Sequence, residues 1–301
     1  MDLKQVEYIL KIAEENNITH AAEKLFITQS ALNQQLLKLE KELGTPLFHR
    51  SRTNWRPTEA GEVYIRGAKE LLRIRKNTYE QIHDIAQIKK GTLSVGLTPG
   101  RGIVFFSNVY PKFHRLYPHI VVEPVEQGVR QLQAMIAENQ LDIGFLTLTP
   151  DCRTKDEYVV LKEEEIVLAI PKLHPLSQKA APPGEPLAVS SLVPVRYEPF
   201  VLMDRHSTMR LLVDRIFEEV DIVPNILLET KNNSTVISLI QSNLCCGLIP
   251  YYYVKSRPEG VSCFYLPNHP TWEVVASYKK NSYLSNAAKC FIELAQEFWN
   301  S

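Results

Sequence analysis

The sequence predicts an α/β protein built from an all-α head, one long helix and a two-lobed α/β body. Three patterns support this prediction. Residues 3–56 contain three short amphipathic helical patterns and a basic segment, residues 58–89 form one long helical pattern without proline, and from Gly91 onward strand patterns alternate with helical ones. A chain of 301 residues, 45% of them hydrophobic, is long enough for two or more domains with proper cores.

Composition argues against a membrane protein but does not choose among the remaining functions. The formal net charge is zero, so the overall charge gives no indication of a nucleic-acid partner. No apolar run is long enough to span a bilayer, and the chain opens directly into an amphipathic helix rather than a signal peptide. We therefore expect a cytoplasmic protein with no membrane partner.

The first two helices of the head are predicted from short apolar patterns. Residues 18–25 form the second helix, which Asn17 or Thr19 can cap and in which Ala21 and Ala22 allow a close helix crossing. The apolar residues at helical spacing in the first helix are Leu3, Val6, Leu10 and Ala13. Together with a third helix, these two can enclose a small core.

The third helix combines a leucine stripe with a polar face. Thr28 is predicted to cap its first turn, and Gly44 and Pro46 to end it. The leucines expected to be buried are Leu32, Leu36, Leu39 and Leu43, and the opposite face carries Ser30, Asn33, Gln34, Lys38 and Lys41. Side-chain amides can make paired hydrogen bonds to adenine, while lysine neutralises phosphate charge. This face therefore suits DNA.

A basic segment follows the third helix and strengthens the DNA interpretation. It contains Arg50, Arg52 and Arg56 and no acid, as a wing lying along phosphates or entering a minor groove requires. For a single helix, an ordinary solvated polar face is the simpler interpretation, but the turn, the polar first turn and the basic wing together favour DNA. The residues expected to contact DNA are Thr28, Gln29, Ser30, Asn33, Gln34, Lys38, Arg50, Arg52 and Arg56.

At these positions the chain resembles the LysR-type transcriptional regulators. The residues that carry the resemblance are AAEKL at 21–25, TQSALN at 28–33, LEKELGTPLFHR at 39–50 and PTEAG at 57–61. The resemblance implies a winged helix-turn-helix that binds double-stranded DNA. Asn33 stands where the family usually has serine and Pro57 where it has an aliphatic residue, so we expect Asn33 to give this protein its own operator sequence.

The long helix that follows presents one apolar seam. Its members are Ile65, Ala68, Leu72, Tyr79, Ile82 and Ala86, interrupted by Arg75. A seam of this kind can pack against the same chain or against a second copy, and the resemblance implies a dimer formed through this linker helix. Two heads then face the two half-sites of a pseudo-palindromic operator.

Alternating strands and helices predict a body with two lobes of similar build. Strands are expected at residues 93–97, 120–125, 141–146, 166–170, 200–203, 226–229, 244–249 and 272–278, and helices at residues 103–117, 129–139, 209–220, 235–242 and 287–299. Residues 177–194 are expected to form a surface loop. The βαβαβ order of the first lobe implies a parallel sheet.

The resemblance implies that this body is a periplasmic-binding-protein-like effector domain. We therefore expect a winged helix-turn-helix at residues 1–58, a linker helix at 59–89 and a two-lobed effector domain at 90–301. Lobe 1 comprises about 90–162 and 267–301, and lobe 2 about 163–266.

An effector site is expected in the cleft between the lobes, because ligands of parallel sheets bind beyond the carboxyl ends of strands, near helix N-termini. The residues selected by this rule are Thr98, Gly100, Arg101, Gln127, Thr147, Asp204, His206, Asn233 and Ser234. Thr98, Ser234 and nearby backbone N–H groups can hold an anion, although both side chains could simply cap helices. Arg101 could recognise a carboxylate or phosphate, or lie in solvent.

The five cysteines are odd in number, irregularly spaced and without a CxxC pair, which predicts reduced and mostly buried thiols. Cys245 and Cys246 lie in an apolar run expected to form a core strand. Peroxide-sensing members of the resembled family carry reactive cysteines after a second-lobe strand, and the matching residues 199–208 contain none.

These patterns predict a ligand-responsive transcription regulator rather than an enzyme. No GxSxG, HExxH, Walker or GxGxxG motif occurs between a strand and a helix, so we expect no catalytic residue, metal or cofactor. A DNA-architectural protein with a ligand-blind body remains the alternative. The resemblance implies as partners a small-molecule effector, further copies of the chain in a dimer or tetramer, and RNA polymerase.

Overall fold

The structure, a computed structural model, describes residues 2–51 and 54–300. The chain divides into two compact units, Met1–Gln87 and Ile88–Ser301. The first unit contains the head and the long helix, and the second contains the body.

The head has three helices and a short hairpin, as the sequence predicts. The helices are α1 (Leu3–Glu15), α2 (Ile18–Lys24) and α3 (Gln29–Leu43), and α4 (Glu59–Ile85) follows the hairpin. The hairpin pairs β1 (Phe48–His49) with β2 (Arg56–Pro57) in antiparallel orientation.

The buried faces of α1 and α3 differ in part from the predicted stripes. On α1 the core residues are Val6, Ile9 and Ile12, whereas Leu3 is exposed. The predicted spacing was helical, but the buried arc is centred on Ile9, which the stripe did not include. On α3 the prediction for Leu43 is wrong, because this last residue of the helix lies beyond the core and is exposed.

Lobe 1 of the body is built on a parallel βαβαβ unit. Its elements are β3 (Lys90–Leu97), α5 (Arg101–Leu116), β4 (His119–Glu126), α6 (Val129–Ala137) and β5 (Ile143–Leu148). Strand β3 lies between β4 and β5 and pairs in parallel with both. The carboxyl ends of these strands therefore meet at one edge, as predicted.

One long strand runs through both lobes. The sequence predicts only residues 166–170 as a strand, but β6 spans Glu157–Pro171. Its first part pairs antiparallel with β11 (Thr271–Tyr278), and its second part pairs with β9 (Gly247–Pro250) and β10 (Val261–Tyr265). The apolar run YVVL at 158–161 is a strand signal that the prediction missed, and the acidic run 163–165 separates it from the predicted strand.

Lobe 2 completes the body. Its remaining elements are β7 (Pro199–Met203), α7 (Thr208–Glu219), β8 (Asn225–Thr230) and α8 (Asn233–Gln241). Strands β7 and β8 are parallel, and a bridge from Phe200 to Cys246 connects them to the segment before β9. The last helix, α9 (Asn286–Asn300), packs back on lobe 1.

One strand predicted for lobe 2 needs correction. The strand expected at residues 244–249 begins only at Gly247, because the Leu244 N–H closes the end of α8 by donating to the Leu239 carbonyl at 3.2 Å. Residues 177–194 lie mostly at the surface, as predicted, although Leu187 and Leu192 are buried in the lobe. The strand β10 was not predicted at all.

Candidate DNA-binding surface and interlobe cleft

Side-chain caps hold the two helices of the helix-turn-helix at their N-termini. The Asn17 side chain accepts a hydrogen bond from the Thr19 N–H at 2.8 Å. The Thr28 hydroxyl accepts one from the Ala31 N–H at 3.2 Å. The Thr28 cap was predicted, and Asn17 was one of the two residues considered for the cap of α2, the other being Thr19. The two caps satisfy backbone donors that the first turn of a helix leaves free, and so fix where α3 begins.

The expected DNA-contacting residues of α3 share one side of the helix. Leu32, Leu36 and Leu39 are fully buried on the other side. Asn33, which departs from the family pattern, is half-buried. The exposed ones are Thr28, Gln29, Ser30, Gln34 and Lys38. The head therefore presents amide, hydroxyl and ammonium groups to solvent, as reading base edges and phosphates requires.

The wing is anchored to α3 through a buried acid. Glu40 accepts a hydrogen bond from the Leu47 N–H at 2.8 Å, and its other carboxylate oxygen pairs with the guanidinium of Arg50. Arg50 also lies over the ring of Trp55, 5.7 Å from its centroid. Arg50 thus positions the hairpin. In the sequence, the only indication of this contact is that Glu40 follows the buried Leu39 and that Arg50 comes ten residues later.

The structure describes only one of the other two wing arginines. Arg56 is exposed on β2. Arg52 lies outside the described residues. The backbone of the wing is held to the head by a hydrogen bond from the Trp55 N–H to the Asn16 carbonyl at 2.8 Å.

The long helix α4 is buried only near its beginning. Ile65 and Ala68 pack in the head, and Gly61 approaches the Leu47 carbonyl so closely that a Cβ would collide with it. Leu71 and Leu72 are half-buried, and the large apolar side chains farther along the helix are exposed. They are Ile74, Tyr79, Ile82 and Ile85. The second half of the predicted seam is therefore uncovered in a single copy of the unit.

A cavity of about 600 Å³ lies between the lobes, within the size range of small-molecule sites. Seven of the nine expected effector residues line it: Thr98, Arg101, Gln127, Thr147, Asp204, His206 and Asn233. Gly100 and Ser234 do not. Gly100 is the N-cap of α5, and the Ser234 N–H donates to the capping side chain of Asn232 at 2.9 Å.

Helix N-termini from both lobes reach the cavity. Gly128 precedes α6 and lines the cavity, and no side chain caps this helix. On the other lobe, Ser207 caps α7 and Asn232 caps α8. An uncapped N-terminus leaves N–H donors for an anion, in keeping with the expected anion site.

The cavity carries one cation on each side that the sequence patterns did not indicate. Arg130 lies in the first turn of α6, and Lys231 lies just before α8. Both are exposed, and neither has an ion pair among the described residues. Their positions beside Gln127 and Asn233, which were predicted, could have revealed them.

One hydrogen bond crosses directly between the lobes at the cavity. The Thr208 hydroxyl on α7 donates to the Thr147 carbonyl on β5 at 2.7 Å.

Tyr253 also lines the cavity, and burial raises the pKa of its hydroxyl. That hydroxyl therefore stays neutral and can donate a hydrogen bond to a ligand.

Arg101 is not free to bind a ligand anion. Its guanidinium is buried and donates to both carboxylate oxygens of Glu164 at 2.5 and 3.2 Å. It also lies over the rings of Tyr252 and Trp299, 4.3 and 4.5 Å from their centroids. The sequence suggested that Arg101 either recognises a carboxylate or phosphate of the ligand or lies in solvent, and the structure shows neither arrangement. Arg101 lines the cavity as part of an internal ion pair.

The cysteines are free thiols, as expected. Burial raises the pKa of Cys245 to about 11 and the pKa values of Cys246 and Cys263 to about 12. Within residues 2–51 and 54–300, no group of histidine, cysteine and acidic residues could hold a metal ion. In the same part of the chain, no helix has the length and apolarity needed to cross a membrane.

Two family models match the chain. The model described as bacterial regulatory helix-turn-helix protein, lysR family, matches residues 3–62, and the one described as LysR substrate binding domain matches residues 86–300. The boundary between the two matches falls within the long helix α4 and the segment after it.

Curated relatives and solved structures are similar over almost the full length. The HTH-type transcriptional regulator YcgK of Bacillus subtilis (strain 168) is 31% identical, covering 99% of this chain and 94% of YcgK. BudR of Raoultella terrigena is 29% identical, covering 90% and 89%. A full-length OxyR variant of Pseudomonas aeruginosa superposes with a TM-score of 0.72 at 23% identity, covering 100% and 95%. Full-length CbnR complexed with its target DNA gives a TM-score of 0.63 at 19% identity, covering 99% of each chain. These structures share the fold.

Proposed function

The chain belongs to the LysR family of DNA-binding transcriptional regulators, and we propose that a small anionic metabolite, bound between the lobes of its body, controls how paired heads engage an operator. The observation that carries this proposal is the cleft itself. The cavity of about 600 Å³ is lined by the uncapped N-terminus of α6 in lobe 1. It is also lined by two cations without an ion pair among the described residues, Arg130 from lobe 1 and Lys231 from lobe 2.

The first turn of α3 carries side chains suited to reading bases. Gln29 and Ser30 are exposed in the first turn of α3, the part of a recognition helix that reaches base edges. Lys38 and Arg56 are exposed farther along the head and supply charge for phosphates. CbnR, which shares the fold, has been solved on its target DNA. We assign Gln29, Ser30, Asn33 and Gln34 to sequence selection.

We propose that two copies of the chain form a dimer through α4. Ile82 and Ile85 are 54% and 85% exposed, a state that a long helix with an apolar seam does not favour in water. A second copy of the same helix can cover both seams at once, because a two-fold interface uses the same surface on each subunit. The paired heads then match a pseudo-palindromic operator.

A tetramer requires a further self-association surface, and the body provides a candidate. Strand β8 lies at the edge of its sheet and exposes Ile226, Leu227 and Leu228, with Val223 just before it 91% exposed. Edge strands with apolar side chains favour pairing with another chain. We propose that body-to-body contacts at this edge join two dimers, and that the assembly acts on RNA polymerase.

The charges that line the cleft indicate the chemistry of the effector. Arg130 and Lys231 lie on opposite lobes, so an anion that contacts both favours a closed arrangement of the lobes. Asp204 and Glu126 also line the cavity, and the carboxylate of Asp204 accepts a hydrogen bond from the His206 N–H at 3.0 Å. A small carboxylate that also carries a hydrogen-bond donor fits this combination.

The transmission step follows from the strands that connect the lobes. Both β6 and β11 run through the region where the lobes meet, and the Ile166 N–H donates to the Pro270 carbonyl at 2.8 Å there. An effector that binds one lobe arrangement more tightly shifts the population towards it. We propose that this shift changes the spacing of the heads and the bend of the DNA between them.

The test is a thermal-shift screen of the full-length protein against small mono- and dicarboxylates. A ligand at one hundred times its Kd stabilises the folded state by roughly 2.7 kcal/mol. A carboxylate that raises the melting temperature of the wild type should do so much less in Lys231→Gln, whereas Lys172→Gln, an exposed lysine outside the cleft, should respond normally. Equal responses in all three proteins would contradict binding in the cleft.

A further inference from the structure

The turn between α2 and α3 carries an exposed aromatic side chain. Phe26 is 95% exposed, more than any other large apolar residue among those described. Its neighbours Leu25 and Ile27 are half-buried and pack against the core of the head. Packing within the head therefore does not account for a phenylalanine at this position.

The backbone at Phe26 adds a second unfavourable feature. Its φ is 55°, in the left-handed region. The Ile27 N–H donates to the Ala22 carbonyl and the Phe26 N–H to the Glu23 carbonyl, both at 3.1 Å, which is the hydrogen-bond pattern of a Schellman motif. Glycine or asparagine favours this position, because a bulky side chain is sterically strained there. Phenylalanine is thus unfavourable here for both its backbone and its exposure.

The position of Phe26 places it beside the DNA-reading turn. It precedes Thr28, the N-cap of α3, by two residues, so the two Cα atoms are no more than about 7 Å apart. In a docked helix-turn-helix the first helix crosses the phosphate backbone and the second enters the major groove, so the turn between them lies at the edge of the groove. The exposed ring is continuous with the surface that binds DNA.

We propose that Phe26 contacts DNA through its ring, against a thymine methyl group or a deoxyribose at the edge of the major groove. Such apolar contacts add affinity without a hydrogen bond or a charge. The contact offsets the strain of the turn, as expected where an unfavourable local conformation serves binding. The proposal depends on DNA binding and not on the proposed effector.

The test uses the full-length protein and an operator that it selects from random-sequence DNA. Phe26→Asn should lower operator affinity about tenfold, the loss expected when roughly half of a phenylalanine side chain is no longer covered. Because no charge is removed, the slope of log affinity against log salt should stay the same. The melting temperature of the head should rise by roughly 2–5 °C, since asparagine tolerates the left-handed conformation.

Two controls separate the ring from general effects. Phe26→Tyr keeps the ring and should retain most of the affinity, and Leu173→Asn, which removes an exposed apolar side chain from the body, should leave affinity unchanged. Replacing thymine by uracil in the operator distinguishes the two DNA groups. If the ring contacts a thymine methyl, the uracil substitution should lower the operator affinity of the wild type but not that of Phe26→Asn. If the ring contacts a deoxyribose, the substitution should change the affinities of the two proteins by the same factor.

Two results would overturn the proposal. Phe26→Asn could bind the operator as tightly as the wild type, which would place the ring away from DNA. Alternatively, affinity could fall together with the melting temperature of the head, which would make the ring a structural element of the turn.

Discussion

Arg101 and Glu164 form a buried ion pair in which every carboxylate oxygen has two donors. Besides the guanidinium, Glu164 accepts the Tyr252 N–H at 2.8 Å and the Trp272 indole N–H at 3.0 Å. These contacts offset much of the cost of removing two charges from water. The pair joins α5 of lobe 1 to the shared strand β6 and to the turn after β9 of lobe 2, just where the lobes meet.

Removing the charge of Glu164 should therefore destabilise the body. We expect Glu164→Gln to lower its free energy of unfolding by about 3–5 kcal/mol, because Arg101 is left buried without a counter-charge. Chemical denaturation followed by tryptophan fluorescence measures the loss. Glu163→Gln, the exposed neighbour, is the matched control and should cost less than about 0.5 kcal/mol. Equal stability of the two variants would contradict the assigned role.

Gln29 and Arg56 should differ in how they affect DNA binding. Gln29→Ala should weaken operator binding by about 10- to 100-fold and non-specific binding little, because a base contact is lost. Arg56→Ala should weaken both and reduce the salt slope by about 0.9, because a phosphate contact is lost. Fluorescence anisotropy at several salt concentrations measures both. Equal losses on specific and non-specific DNA for Gln29→Ala would remove it from the base-reading residues.

The seam of α4 should be required for dimerisation. Ile82→Asp places a charge where the second helix is expected to pack, and should shift the protein towards monomer in sedimentation-velocity experiments. Operator affinity should fall with it, since two half-sites are no longer bound together. Gln81→Asp adds the same charge to the neighbouring exposed position and should remain dimeric. A dimer that persists in Ile82→Asp would show that copies associate elsewhere.

The buried thiols should make the body sensitive to alkaline pH. The pKa values of Cys246 and Cys263 are raised to about 12 from an ordinary value of 9.0, so the folded state holds these protons more tightly than the unfolded state. Their stabilising contribution is complete below pH 9 and is lost as pH rises towards 12.

Alkylation followed by mass spectrometry measures the protection of these thiols. At pH 8 iodoacetamide should modify the half-buried Cys152 and Cys290 well before the three buried cysteines. Rapid modification of Cys246 in the folded protein would contradict its burial.

Local patterns predicted the helices and parallel strands of this chain because both depend on neighbouring residues. The capping roles of Asn17 and Thr28, the wing and the first-lobe βαβαβ unit all follow from short-range spacing. The edge at which the strands of lobe 1 end then indicated Thr98, Gln127 and Thr147, which line the cavity.

Features that depend on distant contacts were not predictable in the same way. The acidic residues 163–165 interrupt the apolar pattern of β6, and the role of Glu164 depends on Arg101, 63 residues earlier in the chain. Arg101 itself was weighed as a ligand contact or a solvated side chain, because a sequence shows a charge but not its buried partner. Gly100 and Ser234 were selected by position alone, and neither lines the cavity; Gly100 is the N-cap of α5, and Asn232 rather than Ser234 caps α8.

The central claim is that a ligand in the cleft alters DNA binding, and an operator titration with and without a stabilising carboxylate tests it most directly. The full-length protein should bind its selected operator with a Kd changed by about 5- to 150-fold when the ligand is present. Thr98→Val should retain DNA binding but lose most of this response. An unchanged Kd and an unchanged footprint at saturating ligand would instead support a ligand-blind DNA-binding protein.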